Sequence, residues 1–219
     1  MSARLLFLSL LFISLFIQKF SFANSTLDLT KIVDVNLSTC IAKQAEKQHW
    51  QKLADVKAIK CHGKKISNLA GLANFTHLEK LSLFNNKLTQ ADFHTFKKLK
   101  HINIANNKLT RINIVGLSNL QSLYLFKNKL TTVDFSGLPK LKKIRITNNK
   151  LKKLDISPLV SLEKAYFFDN KLEDLVVTGL PKLKFIELRQ NPMPDEVYDR
   201  YDALDGITII HDGNADDWK

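Results

Sequence analysis

The sequence predicts an α/β solenoid: a coil of short repeating units with one parallel β-sheet along its inner side, a helical N-terminal cap and a small C-terminal cap. Three observations carry that expectation. Asparagine recurs every 21 residues, at Asn86, Asn107, Asn128, Asn149, Asn170 and Asn191. Ahead of each stands one apolar frame, L-x-x-L-x-L-x-x-N-x-L, filled first by Leu78, Leu81, Leu83, Asn86 and Leu88. The frame is missing from both flanks, 24–55 and 194–219.

Later copies run Leu99, Ile102, Ile104, Asn107, Leu109; Leu120, Leu123, Leu125, Asn128, Leu130; and Leu141, Ile144, Ile146, Asn149, Leu151. Weaker ones follow as Leu162, Ala165, Phe167, Asn170, Leu172 and Leu183, Ile186, Leu188, Asn191, Met193. Alternate residues of a strand face opposite sides, so the x-L-x-L-x centre is a strand with its leucines inward. One such strand cannot bury its apolar face alone, but stacked copies make a continuous core. The asparagine column serves as structure, its amides satisfying backbone groups of their own turn and of the next coil that would otherwise be buried and unpaired.

This pattern resembles the leucine-rich repeat, and within it the short-repeat bacterial proteins that include the internalin group. The resemblance covers 56–193, one degenerate copy (Val56, Ile59, Cys61, Lys64, Ile66) and six full ones. It implies a right-handed horseshoe with a parallel sheet on the concave side. Ala91 and Phe93, Ile112 and Ile114, Val133 and Phe135 repeat on the other half of each coil and are followed by turn formers such as Gly116, Gly137 and Pro158. Their period of two leaves no room for a long helix, so the convex side is expected to be extended or single-turn 3₁₀.

The flanks have their own readings. Residues 1–23 read as a secretory signal peptide: Arg4, an apolar run over 5–17, and Ser21-Phe22-Ala23 at the cleavage positions. Residues 24–55 read as a capping segment whose helix carries Leu37, Cys40, Ile41 and Ala45 inward, started by Asp34, Asn36 or Ser38. Cys61 takes an inward strand position and Cys40 is its one possible partner, so in an exported chain the two predict a disulfide tying cap to first coil. After 193, a short helix over 195–204 and a last strand over 207–210 are expected to close the other end.

Function is sought on outward strand positions, because the inward ones are committed to the core. Lys80, His101, Lys143, Lys164 and Phe185 precede the first inward leucine of their strands. Tyr124, Arg145 and Tyr166 stand between the two leucines, and Phe84, Phe126, Phe168 and Arg189 follow the second. Seven strands about 4.8 Å apart place these twelve side chains on one concave face. Solvent-facing aromatics mixed with arginine are the usual anchors of binding surfaces. The competing reading is that phenylalanines recurring every second coil stack on their neighbours.

A second column, Lys87, Lys108, Lys129, Lys150 and Lys171, follows the asparagines. It reads either as electrostatic steering of an anionic ligand or as a solvated edge that discourages association. Formal charge is +12, and +10 once Arg4 and Lys19 leave with the signal peptide. The six histidines lack metal-ligand spacing, and no nucleophile elbow or phosphate loop is present. These readings predict an exported, periplasmic or secreted, monomeric protein without cofactor, metal or catalysis. Its concave face would hold a protein partner or, as the alternative, an anionic glycan, lipopolysaccharide or nucleic acid.

Overall fold

The computed structural model describes residues 27–213; the expected signal peptide and the last residues of the tail lie outside them. Among the described residues, helix α1 (Val35–Gln48) is followed by β1 (Ala58–Lys60), β2 (Lys80–Ser82), β3 (Gln90–Asp92), β4 (His101–Asn103) and β5 (Arg111–Asn113). Then come β6 (Ser122–Tyr124), β7 (Lys143–Arg145), β8 (Lys164–Tyr166), β9 (Phe185–Glu187), α2 (Asp195–Asp202) and β10 (Thr208–Ile210). Eight strands form one parallel sheet in the order β1-β2-β4-β6-β7-β8-β9-β10. The fold is a leucine-rich-repeat-type solenoid, its seven repeat strands extended by β10, the last strand expected over 207–210.

Register runs straight through the repeats: Leu81 pairs with Ile102, Ile102 with Leu123, and Leu123 with Ile144. At the ends the spacing changes, Ile59 pairing with Leu81 and Ile186 with Ile209, steps of 22 and 23 residues. The frame leucines and isoleucines are sealed in a single core, where Leu83, Leu88, Leu125 and Ile144 are 0% exposed. On the convex side, among the described residues, only β3 and β5 pair as strands. Elsewhere tight turns, such as Leu138 O to Leu141 N and Leu159 O to Leu162 N, do the same work. A single 3₁₀ turn, Leu72–Asn74, serves the first coil. The turns bring coils very close: a Cβ on Gly137 would lie 2.8 Å from the Gly116 Cα.

The asparagine column is a hydrogen-bond ladder, but its direction differs from the expectation. Asn128 Oδ1 accepts from Leu109 N at 3.0 Å, and its Nδ2 donates to Ile104 O and Leu125 O. Ile104 and Leu109 belong to the coil before Asn128, not the one after it. Asn107, Asn149, Asn170 and Asn191 repeat the arrangement toward Leu88, Leu130, Leu151 and Leu172. Asn86 accepts from Lys64 N and Ile66 N of the degenerate coil. The residue before each asparagine, Asn85, Asn106, Lys127, Asn148, Asp169 or Gln190, has φ between 54° and 58°. That left-handed turn aims the amide back at the finished coil.

The N-terminal cap is attached to the first coil at several points. Cys40 and Cys61 form the disulfide, with Cα atoms 6.0 Å apart. Asp34 caps α1 through Asn36 N and Leu37 N, while its second oxygen accepts from Ser67 N and Asn68 N of the first coil. These bonds hold its carboxyl below the usual range against the opposing effect of desolvation. Gly71 lies against the Lys31 backbone so tightly that a Cβ there would meet Lys31 O at 1.9 Å. Gln44 closes the open edge of β1 by accepting from Lys60 N at 3.0 Å.

The C-terminal cap is held by side chains. Tyr201 Oη donates to Leu175 O at 2.8 Å, and burial pushes the phenol far above its ordinary pKa. His211 occupies the inward position that Leu188 holds one strand earlier. It stacks on Tyr198 at 4.7 Å and meets Asp202 through Nε2, while its buried Nδ1 has no partner among the described residues.

Candidate functional site

Register places the twelve candidate side chains in three outward columns. Lys80, His101, Ser122, Lys143, Lys164 and Phe185 align across the strands. So do Ser82, Asn103, Tyr124, Arg145, Tyr166 and Glu187. One residue beyond the second inward position stand Phe84, Ala105, Phe126, Thr147, Phe168 and Arg189.

The aromatics and cations between Phe84 and Phe185 are organised by contact with one another. The Arg145 guanidinium lies 4.8 Å from the Phe126 ring centroid. Lys143 Nζ sits between two phenols, 5.9 Å from Tyr124 and 5.7 Å from Tyr166. Tyr166 also packs on Phe185 at 5.2 Å. Such cation–π pairs hold long side chains in place at modest gain, on the order of 1 kcal/mol each where exposed.

The expectation that these rings project into solvent needs correction. Phe84, Tyr124, Phe126, Tyr166, Phe168 and Phe185 are all half-buried. In the third column large and small residues alternate, with Ala105 and Thr147 buried between the phenylalanines. The small residues let the rings lean together, so Phe84 and Phe126, two coils apart, approach to 6.2 Å. Arg189 differs too. It is committed to Glu187, with Nε and Nη2 each donating to a carboxylate oxygen at 2.9 Å. That pairing raises the guanidinium pKa further and cancels its charge toward a ligand.

The N-terminal part of the face is polar. His101 Nδ1 lies 2.8 Å from Ser122 Oγ. His62, not anticipated on this surface, lies 2.6 Å from Ser82 Oγ and meets Phe84 edge-on. The degenerate coil carried the signal, since a residue directly after the inward Cys61 must face out. Partial burial, with Lys60 beside one and Lys80 and Lys100 beside the other, lowers both imidazole pKa values. Both effects favour the neutral ring. Among the described residues no group of His, Cys, Asp and Glu is placed to hold a metal ion.

Comparison with known proteins adds the family. The description "Leucine rich repeat" matches residues 76–130, and "Leucine Rich repeats (2 copies)" matches 118–159. The chain carries leucine-rich repeats over 76–159. No curated protein sequence matches it. Among solved structures, an internalin, inlF, from Listeria monocytogenes aligns with TM-score 0.56 and 20% identity, covering 83% of this chain and 64% of its own. Internalin C2 from the same organism aligns at 0.55 and 22%, covering 83% of this chain and 95% of its own. TLR13, solved in complex with ssRNA13, aligns at 0.55 and 26% over 63% of this chain and 22% of its own. The internalin likeness establishes the fold. Leucine-rich-repeat domains are characteristically scaffolds for interaction, and the outward columns of the sheet are where this one presents its most chemically distinctive side chains.

Proposed function

We propose that this leucine-rich-repeat protein is a non-enzymatic, exported interaction module. It holds a folded protein partner on the concave face, around Tyr124, Phe126, Arg145 and Tyr166. One observation carries the reading: the rings and cations between Phe84 and Phe185 are already ordered by mutual contact yet remain half-exposed. Anchors that are preorganised lose little side-chain freedom on binding, and tyrosine and arginine are the residues that most often dominate interface energetics. Mutual packing of the rings alone accounts for Phe84 and Phe126, but it leaves the exposed Arg145 and the lysine between two tyrosines without a purpose. Export is supported by the signal-peptide reading of 1–23 and by the disulfide, a bond of oxidising compartments.

The test is cross-linking in the native envelope with a Tyr124→Ser, Arg145→Glu variant, both sites lying outside the sealed core. A drop in recovered partner of at least about ten-fold is expected, as for loss of two central anchors. A Tyr166→Ala, Phe168→Ala variant should behave alike. Undiminished recovery with both, at unchanged melting temperature, rejects the concave face as the docking surface.

A further inference from the structure

We propose that the rim beside the asparagine ladder is a second, separate binding surface, a track for a linear acidic polysaccharide. The rim carries Lys65, Lys87, Lys108, Lys129, Lys150 and Lys171, all exposed. Their backbones are locked in register: Lys108 N donates to Leu88 O, Lys129 N to Leu109 O and Lys150 N to Leu130 O, each reaching the coil before. The lysines are thus spaced one coil apart, about 4.8 Å, as neighbouring strands are.

None of the six forms an ion pair within the described protein. The column just ahead of the concave strands shows that the fold does not impose this. There Lys57, Glu79, Lys100, Gln121, Lys142, Glu163 and Lys184 mix both signs, and Lys100–Glu79 and Lys142–Glu163 pair at 2.8 and 3.1 Å. Six like charges in file repel one another, a cost that solubility alone does not require, since a mixed column also keeps a surface wet. Protection of a sheet edge does not explain them either. The edges of the sheet are β1 and β10, whereas most of these lysines stand on interior coils.

The chemistry beside the lysines selects the class of polyanion. A depression of about 420 Å³ is lined by Gly63, Lys65, Asn85, Lys87, Asn106 and Lys108. Asn106 Nδ2 donates to Asn85 Oδ1 there at 2.8 Å, so a pair of amide groups lies beside the ammonium groups at this end of the track. Amides satisfy sugar hydroxyls, and ammonium groups satisfy uronate or sulfate. No aromatic side chain lines this depression, whereas single-stranded nucleic acid relies on rings for base stacking. The track ends where carboxylates begin, at Asp169, Glu173 and Asp174. Its free length from Lys65 to Lys150 is roughly 19 Å at one strand spacing per coil.

The experiment measures binding of polygalacturonate, neutral dextran and poly(dT) to the full protein across a salt series. Polygalacturonate is expected to bind with an affinity that falls steeply with salt, and dextran not at all. Lys87→Gln, Lys108→Gln, Lys129→Gln should weaken polygalacturonate binding at least ten-fold and flatten its salt dependence. A control losing the same charge elsewhere, Lys98→Gln, Lys140→Gln, Lys182→Gln, should change it less than about two-fold, because screening confines each charge to a Debye length. Equal losses in the two variants would reduce the effect to net charge and overturn the track. So would tighter binding of poly(dT) than of polygalacturonate, or no binding of polygalacturonate at low ionic strength.

Discussion

At the N-terminal end of the solenoid, α1 is joined to the first coil by a covalent bond, a carboxylate that serves both helix and coil, and a glycine pressed on the chain crossing it. At the C-terminal end, α2 and β10 rest on a phenol, the exposed Arg200–Asp174 ion pair, the Asp212 carboxylate on Gln190 N and one parallel strand pairing. Both ends cover the same kind of exposed core, so the contrast lies in how firmly each is tied. A solenoid's stability is a sum of coil and nearest-neighbour terms, and it frays from its less firmly tied end. Hydrogen exchange should therefore proceed from β10 inward while β1 stays protected. Part of the aromatic patch, Tyr166 on β8 and Phe185 on β9, lies next to the end that opens first.

The contrast can be broken most severely at the disulfide. Cys40→Ser, Cys61→Ser removes a link between residues 21 apart. The expected cost is about 3 kcal/mol, read as a lowered urea midpoint. Exchange should then speed up at β1 until both ends fray alike. Asp34→Ala is expected to cost about 2 kcal/mol by removing a helix cap and leaving Ser67 N and Asn68 N without their acceptor. Because the Asp34 carboxyl titrates below its unfolded value, its contribution is present in full above about pH 4 and is lost as pH falls through the lower folded value. Acid should thus loosen the N-terminal cap, and Asp34→Asn should flatten that part of the pH–stability profile.

At the other end the effects are smaller. Tyr201→Phe leaves Leu175 O without its buried donor, a cost of about 1 kcal/mol in a denaturant titration. His211→Leu exchanges a ring with an unsatisfied nitrogen for the residue type that other coils place there. Relief of that nitrogen and loss of the Asp202 and Tyr198 contacts oppose each other, so the unfolding free energy should change by less than about 1 kcal/mol. A loss above that would show that the imidazole holds the cap together and that the two ends are closer in strength than their contacts indicate.

The repeat was legible because inward positions recur with constant spacing, and nothing but a stacked coil satisfies six leucine frames in register. The cap helix and the cysteine pair were legible from apolar spacing and from their number. What escaped depended on contacts across coils. The ladder's direction follows from a left-handed residue before each asparagine, Asn85 or Lys127 for example, and side-chain identity does not mark that conformation. The half-burial of the rings depends on Ala105 and Thr147, small residues whose effect is felt by neighbours a whole coil away. His62 was legible in principle, because the degenerate copy already sets Cys61 inward and so the residue after it outward.

The backward reach of the asparagines has a consequence for how such a chain is made. The Leu109 amide waits for Asn128, and the Leu130 amide for Asn149, so no turn is complete until its successor has been laid down. Emerging from the ribosome, the molecule always carries one unfinished rung at its growing tip. A cap whose own amides close on themselves, as Met193 N does on Asn191 O, is what allows the winding to stop.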